Sequence, residues 1–598
     1  MLSRSTRRSY PSFAAPLFLA LLTFCMVLPL VLGGPSCGHD FGFHMQSWMD
    51  AADQLRHGHV LPRWAFSPAF NAGEPRFIFY PPVSWLTGSL LLLLLPPAAV
   101  PVVYTWFALT GAACAMYALA RRFSNRSGAM LAAAIYVANP YVLFTAFERT
   151  AYAELLAAAW LPLLFRAALA EQISALAVAI PLALLWLTNA PAAVMGTYAL
   201  AVLVLCRAFS AWRQNRSLLP EDGSANVRIL LVQAAGGLLL GLALAGFYLL
   251  PAAYERRYVQ IAMAIIPNMR VEDNFLFGHT GYGPHDQVLH TASLVALETM
   301  AITAIALLLA IVLERKHSAM ETPVPKREGV PGTSTRPALV STLCLAILIA
   351  VLLWHPTVPV WHLLPELAFL QFPWRLLAVL GCVLGLAAAI ALGRVRMPVV
   401  LASVTALTIA GAATTIAIRP FREACEAREL LPARISLFQA HHGVGPTDEY
   451  TPITADNDQL RWDDPAWWLA ASLNDPGPNT VPNPAATIVD YDEPPPLNQT
   501  VSGHAPTHLQ VHLSRPANLV LNLRDYPAWH VTVNDDTHPV HLQRDDGLLA
   551  LALPAGNNIV DIRWRTLPDM WAGDGLSVVA LLTAGWLRLR SRRIVFER

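Results

Sequence analysis

Between residues 14 and 416 the chain repeatedly runs for about 17–23 residues without a charge, the length that crosses the hydrocarbon core of a bilayer. No water is available there to satisfy backbone N–H and C=O groups, so such segments have to be helices. The composition agrees: 55% of residues are hydrophobic and 14% are charged, against about a quarter charged in soluble domains. The chain therefore reads as a polytopic membrane protein. Its first apolar run follows Arg4, Arg7 and Arg8. That run has the look of a signal peptide but no clear cleavage site, and is read as a retained helix.

Charge sets the expected topology. The run 83–95 is short and bracketed by prolines. If it only dips into the outer leaflet, Arg121, Arg122 and Arg126 share a side with the N-terminal arginines, as the positive-inside rule favours. The later basic groups then also fall inside: Arg207/Arg213/Arg216, Arg315/Lys316/Lys326/Arg327/Arg336, Arg394/Arg396 and Arg588–Arg598. About 12 spans result, lying near 14–33, 99–120, 128–146, 152–169, 173–188, 192–207, 229–250, 291–313, 337–354, 374–393, 397–416 and 574–589. Both termini are cytoplasmic in this reading, and 34–98, 251–290, 355–373 and 417–573 face outside. With a net charge of +1 and no basic stripe, nucleic acid is not an expected partner. The seven cysteines show no CxxC or zinc spacing; Cys37 and Cys425 would share the oxidising face and could pair.

Composition changes at 417, giving three expected parts: a transmembrane domain over 1–416 with a first outer loop at 34–98, an outer domain over 417–573, and a final helix with a basic tail over 574–598. The segment from Phe421 reads as a helix leaving the membrane, and 452–505, rich in Pro and Asp, as loop. After it, "THLQVHL", "NLVLNLR", "AWHVTVN", "LLALALP" and "NIVDIRWR" alternate with period two between turn signals. That pattern predicts a mainly antiparallel β-sandwich, serving either as a glycan-binding module or as a rigid cap.

Ionisable groups gather where expected spans end. In the first outer loop Asp40, His44 and Trp48 follow at four-residue spacing, so a helix there puts them on one face. Asp40 could be a general base or, with His44, hold a divalent ion; it could equally be a helix N-cap. Asp50 and Asp53 read as a solvated helix face. In "NAGEPRFIFYPP" (71–82), Glu74 and Arg76 could reach a ligand or form a surface turn, and Tyr80 precedes the dipping helix. Glu148, Arg149 and Glu154 sit at the outer junction of two spans; Glu154 suits the first turn of a helix, yet charges this close to lipid are costly and commonly functional. In "LQFPWRLL" (370–377), Pro373 suits a first helical turn, Trp374 an interfacial anchor, and Arg375 either a lipid-phosphate site or a snorkelling side chain.

Taken together these segments resemble bacterial GT-C-type membrane proteins, those catalogued as 6-pyruvoyl-tetrahydropterin synthase-related. The likeness rests on "HDFGFH", "GEPRFIFYPP", Arg149 to Glu154 with Leu161-Pro162, "QFPWR" at 371–375, and "GFYLLPAAYERRYVQ" at 246–260, and covers most of 35–420. The stretch from "RDYPAWH" to "DIRW" is similar to C-terminal β-domains of related large membrane proteins. One departure is Asn189, in "LTNAP", where such proteins often carry His. The resemblance implies a GT-C-like all-α membrane domain and inverting glycosyl transfer on the outer face of a bacterial cytoplasmic membrane. The implied donor is a polyprenyl-phosphate sugar and the acceptor an envelope glycan, lipid or protein. It makes Asp40 the general base or metal holder, with a divalent metal as an optional cofactor, and Glu154 or Glu148 the second acid. Arg375, helped by Arg149, would stabilise the leaving phosphate, and Gln371 would hydrogen-bond it or the sugar. His44, Glu74, Arg76, Tyr80 and Trp374 would line the substrate. No Rossmann fingerprint or P-loop is present in the sequence, in keeping with a lipid-linked donor. A lipid-linked-glycan transporter and a non-catalytic envelope-assembly scaffold are the rival readings.

Overall fold

The computed structural model describes residues 13–215, 220–320, 335–393, 395–470, 472–475, 488–490 and 504–596. Of the basic residues expected in cytoplasmic loops, Arg4, Arg7, Arg8, Arg216, Lys326, Arg327, Arg394 and Arg598 lie outside the described residues, as do 476–487 and 491–503 of the expected long loop. Contacts divide the chain into two units. One comprises Met1–Phe41, Ala99–Leu242 and Asn268–Cys425; the other comprises Gly42–Ala98, Ala243–Pro267 and Glu426–Arg598.

The protein is a multi-pass membrane protein. Among the described residues nine helices are long and apolar enough to span: Ala14–Gly33, Pro97–Ala120, Ala190–Arg213, Val227–Leu244, Gly283–Lys316, Thr335–Leu352, Pro373–Leu392, Val399–Phe421 and Pro568–Arg590. The bent pair Arg126–Val137 and Pro140–Phe147, which turns by 48°, makes ten if it is counted as one span. The bend has a cause in the sequence. Pro140 brings no N–H to continue the first helix, and the Asn139 side chain restarts the second by accepting from Val142 N at 3.1 Å. The expected span 152–169 is two short helices, Tyr152–Ala157 and Trp160–Ala168. The carbonyl of Ala158, released at the break, accepts from the Tyr136 hydroxyl at 2.7 Å. Asn189, the departure noted above, is the N-cap of the next long helix and accepts from Ala192 N at 2.9 Å. The helix Val399–Phe421 ends where a disulfide joins Cys37 to Cys425, so the chain beyond Phe421 does not continue as the expected exit helix; a separate helix, Leu431–Gln439, follows.

The second unit holds eight strands: β1 Trp467–Ala470, β2 Ile488–Asp490, β3 His508–Leu513, β4 Ala517–Arg524, β5 Trp529–Val533, β6 His541–Leu542, β7 Leu548–Leu553 and β8 Gly556–Trp564. They form two four-stranded sheets, ordered β1-β4-β7-β6 and β2-β3-β8-β5. Pairing is antiparallel except for β2 with β3. Leu519, Leu521, Leu551 and Leu553 of one sheet meet Leu509, Val511, Val531, Val560 and Ile562 of the other in one core, the inner layer of a sandwich. β1 lies inside the segment expected to be loop. Its Trp467 joins that inner core while Trp468 packs with Val520 and Leu548 on the opposite face, so both faces of this sheet are covered. Residues 42–98, most of the expected first outer loop, also belong here. They supply helix Phe41–Arg56 from residue 42 onward and the short apolar helix Pro82–Leu94. These two approach so closely that a Cβ on Gly88 would lie 2.1 Å from the Trp48 ring.

Candidate functional site

In the first unit four charged side chains from three chain segments converge at helix ends. Asp40 sits one residue before helix Phe41–Arg56, and its N–H donates to the Arg149 carbonyl at 3.0 Å. Its side chain is 42% exposed and stands 3.7 Å from the Arg149 guanidinium. Arg149 and Glu154, 6% and 4% exposed, form a direct ion pair with Nη1 to Oε2 at 2.7 Å. The second Glu154 oxygen accepts from the Tyr141 hydroxyl. Arg375, 14% exposed, brings its Nε to 4.0 Å from Glu154, beyond hydrogen-bond reach, and that Nε makes no hydrogen bond among the described residues. Its Nη1 donates to the Leu370 carbonyl at 2.9 Å and to Gln371 Oε1 at 3.4 Å. Burial alone would lower the Arg149 pKa, but Glu154, Tyr141 and Asp40 outweigh it and hold the guanidinium charged.

Two strained turns set these positions. Thr150, between Arg149 and the helix that carries Glu154, has φ 47°, a costly geometry for a β-branched residue. Gln371 has φ 62° and ψ −46°, and Phe372 N–H donates across it to the Leu370 carbonyl at 2.6 Å, closing a γ-turn of the rare, strained kind. Trp374, expected as an interfacial anchor, is buried instead. The Arg149 guanidinium lies 4.9 Å from its ring centroid and Phe372 stacks on it at 5.0 Å. The cation prefers that ring face to lipid headgroups because it is already desolvated.

Glu148 turns toward a different pair, His39 and Glu423, and the ligand atoms of the three lie within 4.8 Å of one another. Burial, then the neighbouring Glu423, push the Glu148 carboxyl up to about 7. Among the described residues this is the one trio of His, Cys, Asp or Glu side chains close enough to share a metal ion. Asp40 and His44, the pair expected to hold one, belong to no such trio. His39 and Glu423 were not singled out in the sequence, because nothing in their local patterns reports a contact made so far apart along the chain.

His44, Glu74, Arg76 and Tyr80 belong to the second unit. His44 is buried among Phe43, Trp48 and Tyr80, with ring centroids 5.9–6.2 Å away. Glu74 and Arg76 are not a surface turn. Both are 3% exposed and pair at 2.7 Å; Glu74 also accepts from Thr447 N at 2.9 Å, and Arg76 donates to Ser47 and Thr447 hydroxyls at 3.1 Å. Asp50 is likewise buried rather than solvated, accepting from Phe66 N at 3.0 Å and Ser67 N at 3.1 Å. Asp53 keeps the partly exposed position expected of it, with the His57 ring 3.6 Å away.

No protein-family model matches the chain, and no curated protein matches it. Solved structures offer distant likenesses. Arabinofuranosyltransferase AftD from Mycobacteria aligns over 69% of this chain and 27% of its own, at 16% identity and TM-score 0.41. The Archaeoglobus fulgidus oligosaccharyltransferase, in its apo form, aligns over 75% of this chain and 61% of its own, at 13% identity and TM-score 0.39. ArnT from Cupriavidus metallidurans, bound to undecaprenyl phosphate, aligns over 91% of this chain and 98% of its own, at 12% identity and TM-score 0.28. The chain thus spans about a quarter of the first of these proteins and under two thirds of the second. At these scores the likenesses assign no family and no chemistry.

Proposed function

We propose that the protein is an inverting membrane glycosyltransferase that takes its sugar from a polyprenyl-phosphate donor at the outer face of a bacterial cytoplasmic membrane. The observation that carries this reading is the convergence of a half-exposed carboxylate, Asp40, with the Arg149 guanidinium at 3.7 Å and, across Glu154, with the Arg375 guanidinium. Asp40 removes the proton from an acceptor hydroxyl, whose oxygen attacks the sugar's anomeric carbon. The bond from that carbon to the phosphate oxygen breaks on the opposite side, and the departing phosphate gathers charge. The Arg375 guanidinium, 14% exposed, meets that charge, and Arg149, fixed by Glu154, keeps the local field positive. Because this network is assembled before substrate arrives, little reorganisation is left for the reaction itself.

Two further features support the setting. The charged groups stand at helix ends, before Phe41, after Phe147, in the first turn of Tyr152–Ala157 and in the first turn of Pro373–Leu392, which suits surface chemistry better than translocation. The Cys37–Cys425 bridge belongs in an oxidising compartment, which favours an outer position for the segments that carry it, and with them an outer 417–573 and cytoplasmic termini. An envelope glycan, lipid or protein is the acceptor class this setting supplies. The test is transfer from synthetic short-chain polyprenyl-phosphate sugars by the purified chain in nanodiscs, with products read by mass spectrometry. Asp40→Asn should cut turnover by at least ~10²-fold, the usual contribution of a positioned base, with expression and insertion unchanged. Wild-type turnover in that variant would refute the assignment. Analysis of a deletion strain for an accumulated donor lipid and a missing envelope sugar would name the substrates.

A further inference from the structure

The ends of two distant helices are laced together beside Asp40. Ser36 donates its hydroxyl to the Phe147 carbonyl at 2.6 Å and accepts from Glu423 N at 2.9 Å. Cys37 N donates to the Glu423 carbonyl at 3.2 Å, and the Cys37–Cys425 bridge closes covalently over the same stretch. Gly38 lies flat against the next segment: a Cβ there would fall 1.8 Å from the Glu148 carbonyl oxygen, so only glycine fits. This lacing fixes three backbones, and each presents one ligand-type side chain to the same space: His39, Glu148 and Glu423.

The chemistry of that space is unbalanced. The Glu148 residue is 9% exposed, and its carboxylate has no hydrogen-bond or ion-pair partner among the described residues although it is aimed at the other two groups. Two carboxylates and one imidazole are brought together with no lysine or arginine among them. The His39 Nε2 and Glu423 Oε1 atoms are 3.7 Å apart. Two ligands on one tetrahedral zinc stand about 3.4 Å apart, given metal–ligand bonds of roughly 2.0–2.2 Å. A small rotation of each side chain therefore brings the trio onto one ion. His39 and Glu423 side chains are 38% and 43% exposed, leaving a side open for water as a fourth ligand.

We propose that His39, Glu148 and Glu423 bind a divalent transition-metal ion, with zinc the best match to one imidazole nitrogen and two carboxylate oxygens and manganese next. The ion replaces Asp40 and His44 as the chain's metal site, and it neutralises the repulsion between the two glutamates. The proposal goes beyond the transfer reading and stands or falls without it. The test uses the full chain purified in detergent, stripped with EDTA, dialysed against zinc or manganese, and assayed by elemental analysis and titration calorimetry. About one zinc per chain is expected, with His39→Ala and Glu423→Gln each weakening binding by roughly 10-fold or more. Both substituted side chains are partly exposed, so the variants should elute from gel filtration as the parent does. Absence of bound metal in the parent would overturn the proposal. So would unchanged affinity in both variants, since the ion would then be held elsewhere. Direct binding also keeps the two claims separable: an inactive Asp40→Asn chain that still takes up zinc leaves the metal site standing.

Discussion

The Arg149–Glu154 pair offers a quantitative check on the buried network. Arg149→Met leaves the Glu154 carboxylate 4% exposed with the Tyr141 hydroxyl on one oxygen and only Arg375, at 4.0 Å, to balance its charge. Breaking one side of a buried pair costs about 3–5 kcal/mol, and the residual help from Arg375 and Tyr141 argues for the lower end, about 3 kcal/mol. Glu154→Gln should cost at least as much, because it leaves the Arg149 and Arg375 guanidiniums, 6% and 14% exposed, repelling each other. Arg149 then still has Asp40 at 3.7 Å and the Trp374 ring at 4.9 Å, although Asp40 is too exposed to return more than about 1 kcal/mol. The double variant removes both charges and leaves neither uncompensated, so its loss should fall short of the sum by about 2 kcal/mol or more. Unfolding in mixed micelles with increasing SDS, followed by tryptophan fluorescence, measures all three against the parent. If the two losses simply add, to within about 0.5 kcal/mol, the side chains do not interact as described and the proposed phosphate site loses its support.

Two other outcomes follow from the same geometry. Arg375→Ala should lower transfer by roughly 10²-fold, as loss of one transition-state donor does, with donor dependence weakened and acceptor dependence spared; steady-state kinetics with varied donor would expose an unchanged value. In the second unit, Glu255 is fully buried and its pKa is pushed up to about 8, by burial against the opposing Tyr526 hydrogen bond, with Asp569 adding to the rise. A raised carboxyl stabilises the fold fully below the ordinary value of about 4.5 and loses that contribution as pH climbs through about 8. Thermal midpoints of the parent should therefore fall from about pH 5 to about pH 8 and level off above it, whereas Glu255→Gln should flatten that slope; parallel profiles would contradict it.

What could be read from residues alone followed from local rules. Period-two patterns foretold β3, β4, β5, β7 and β8 close to their observed limits. Apolar runs located most spans, because lipid leaves the backbone no alternative to the helix. The failures share a physical origin. Asp50 looked solvated because its spacing fits an outer helix face, yet Phe66 and Ser67 come back to donate to it. Glu74 and Arg76 looked like a turn because their partner Thr447 is remote in sequence. β1 was hidden in a Pro/Asp-rich stretch because a four-residue strand has too few positions to show a period. Within the candidate site, Asp40, Arg149, Glu154 and Arg375 were each visible as charges next to apolar runs. The His39–Glu423 approach was not, since it comes only from the lacing of two helix ends.

The bridge between Cys37 and Cys425 spans a sequence separation of 388 residues, enclosing most of the hydrophobic chain in one covalent ring. A protease that nicks any connection inside that ring opens it without releasing a fragment. Under non-reducing electrophoresis the cut protein should migrate as a single species, and it should part into two pieces only after a thiol is added.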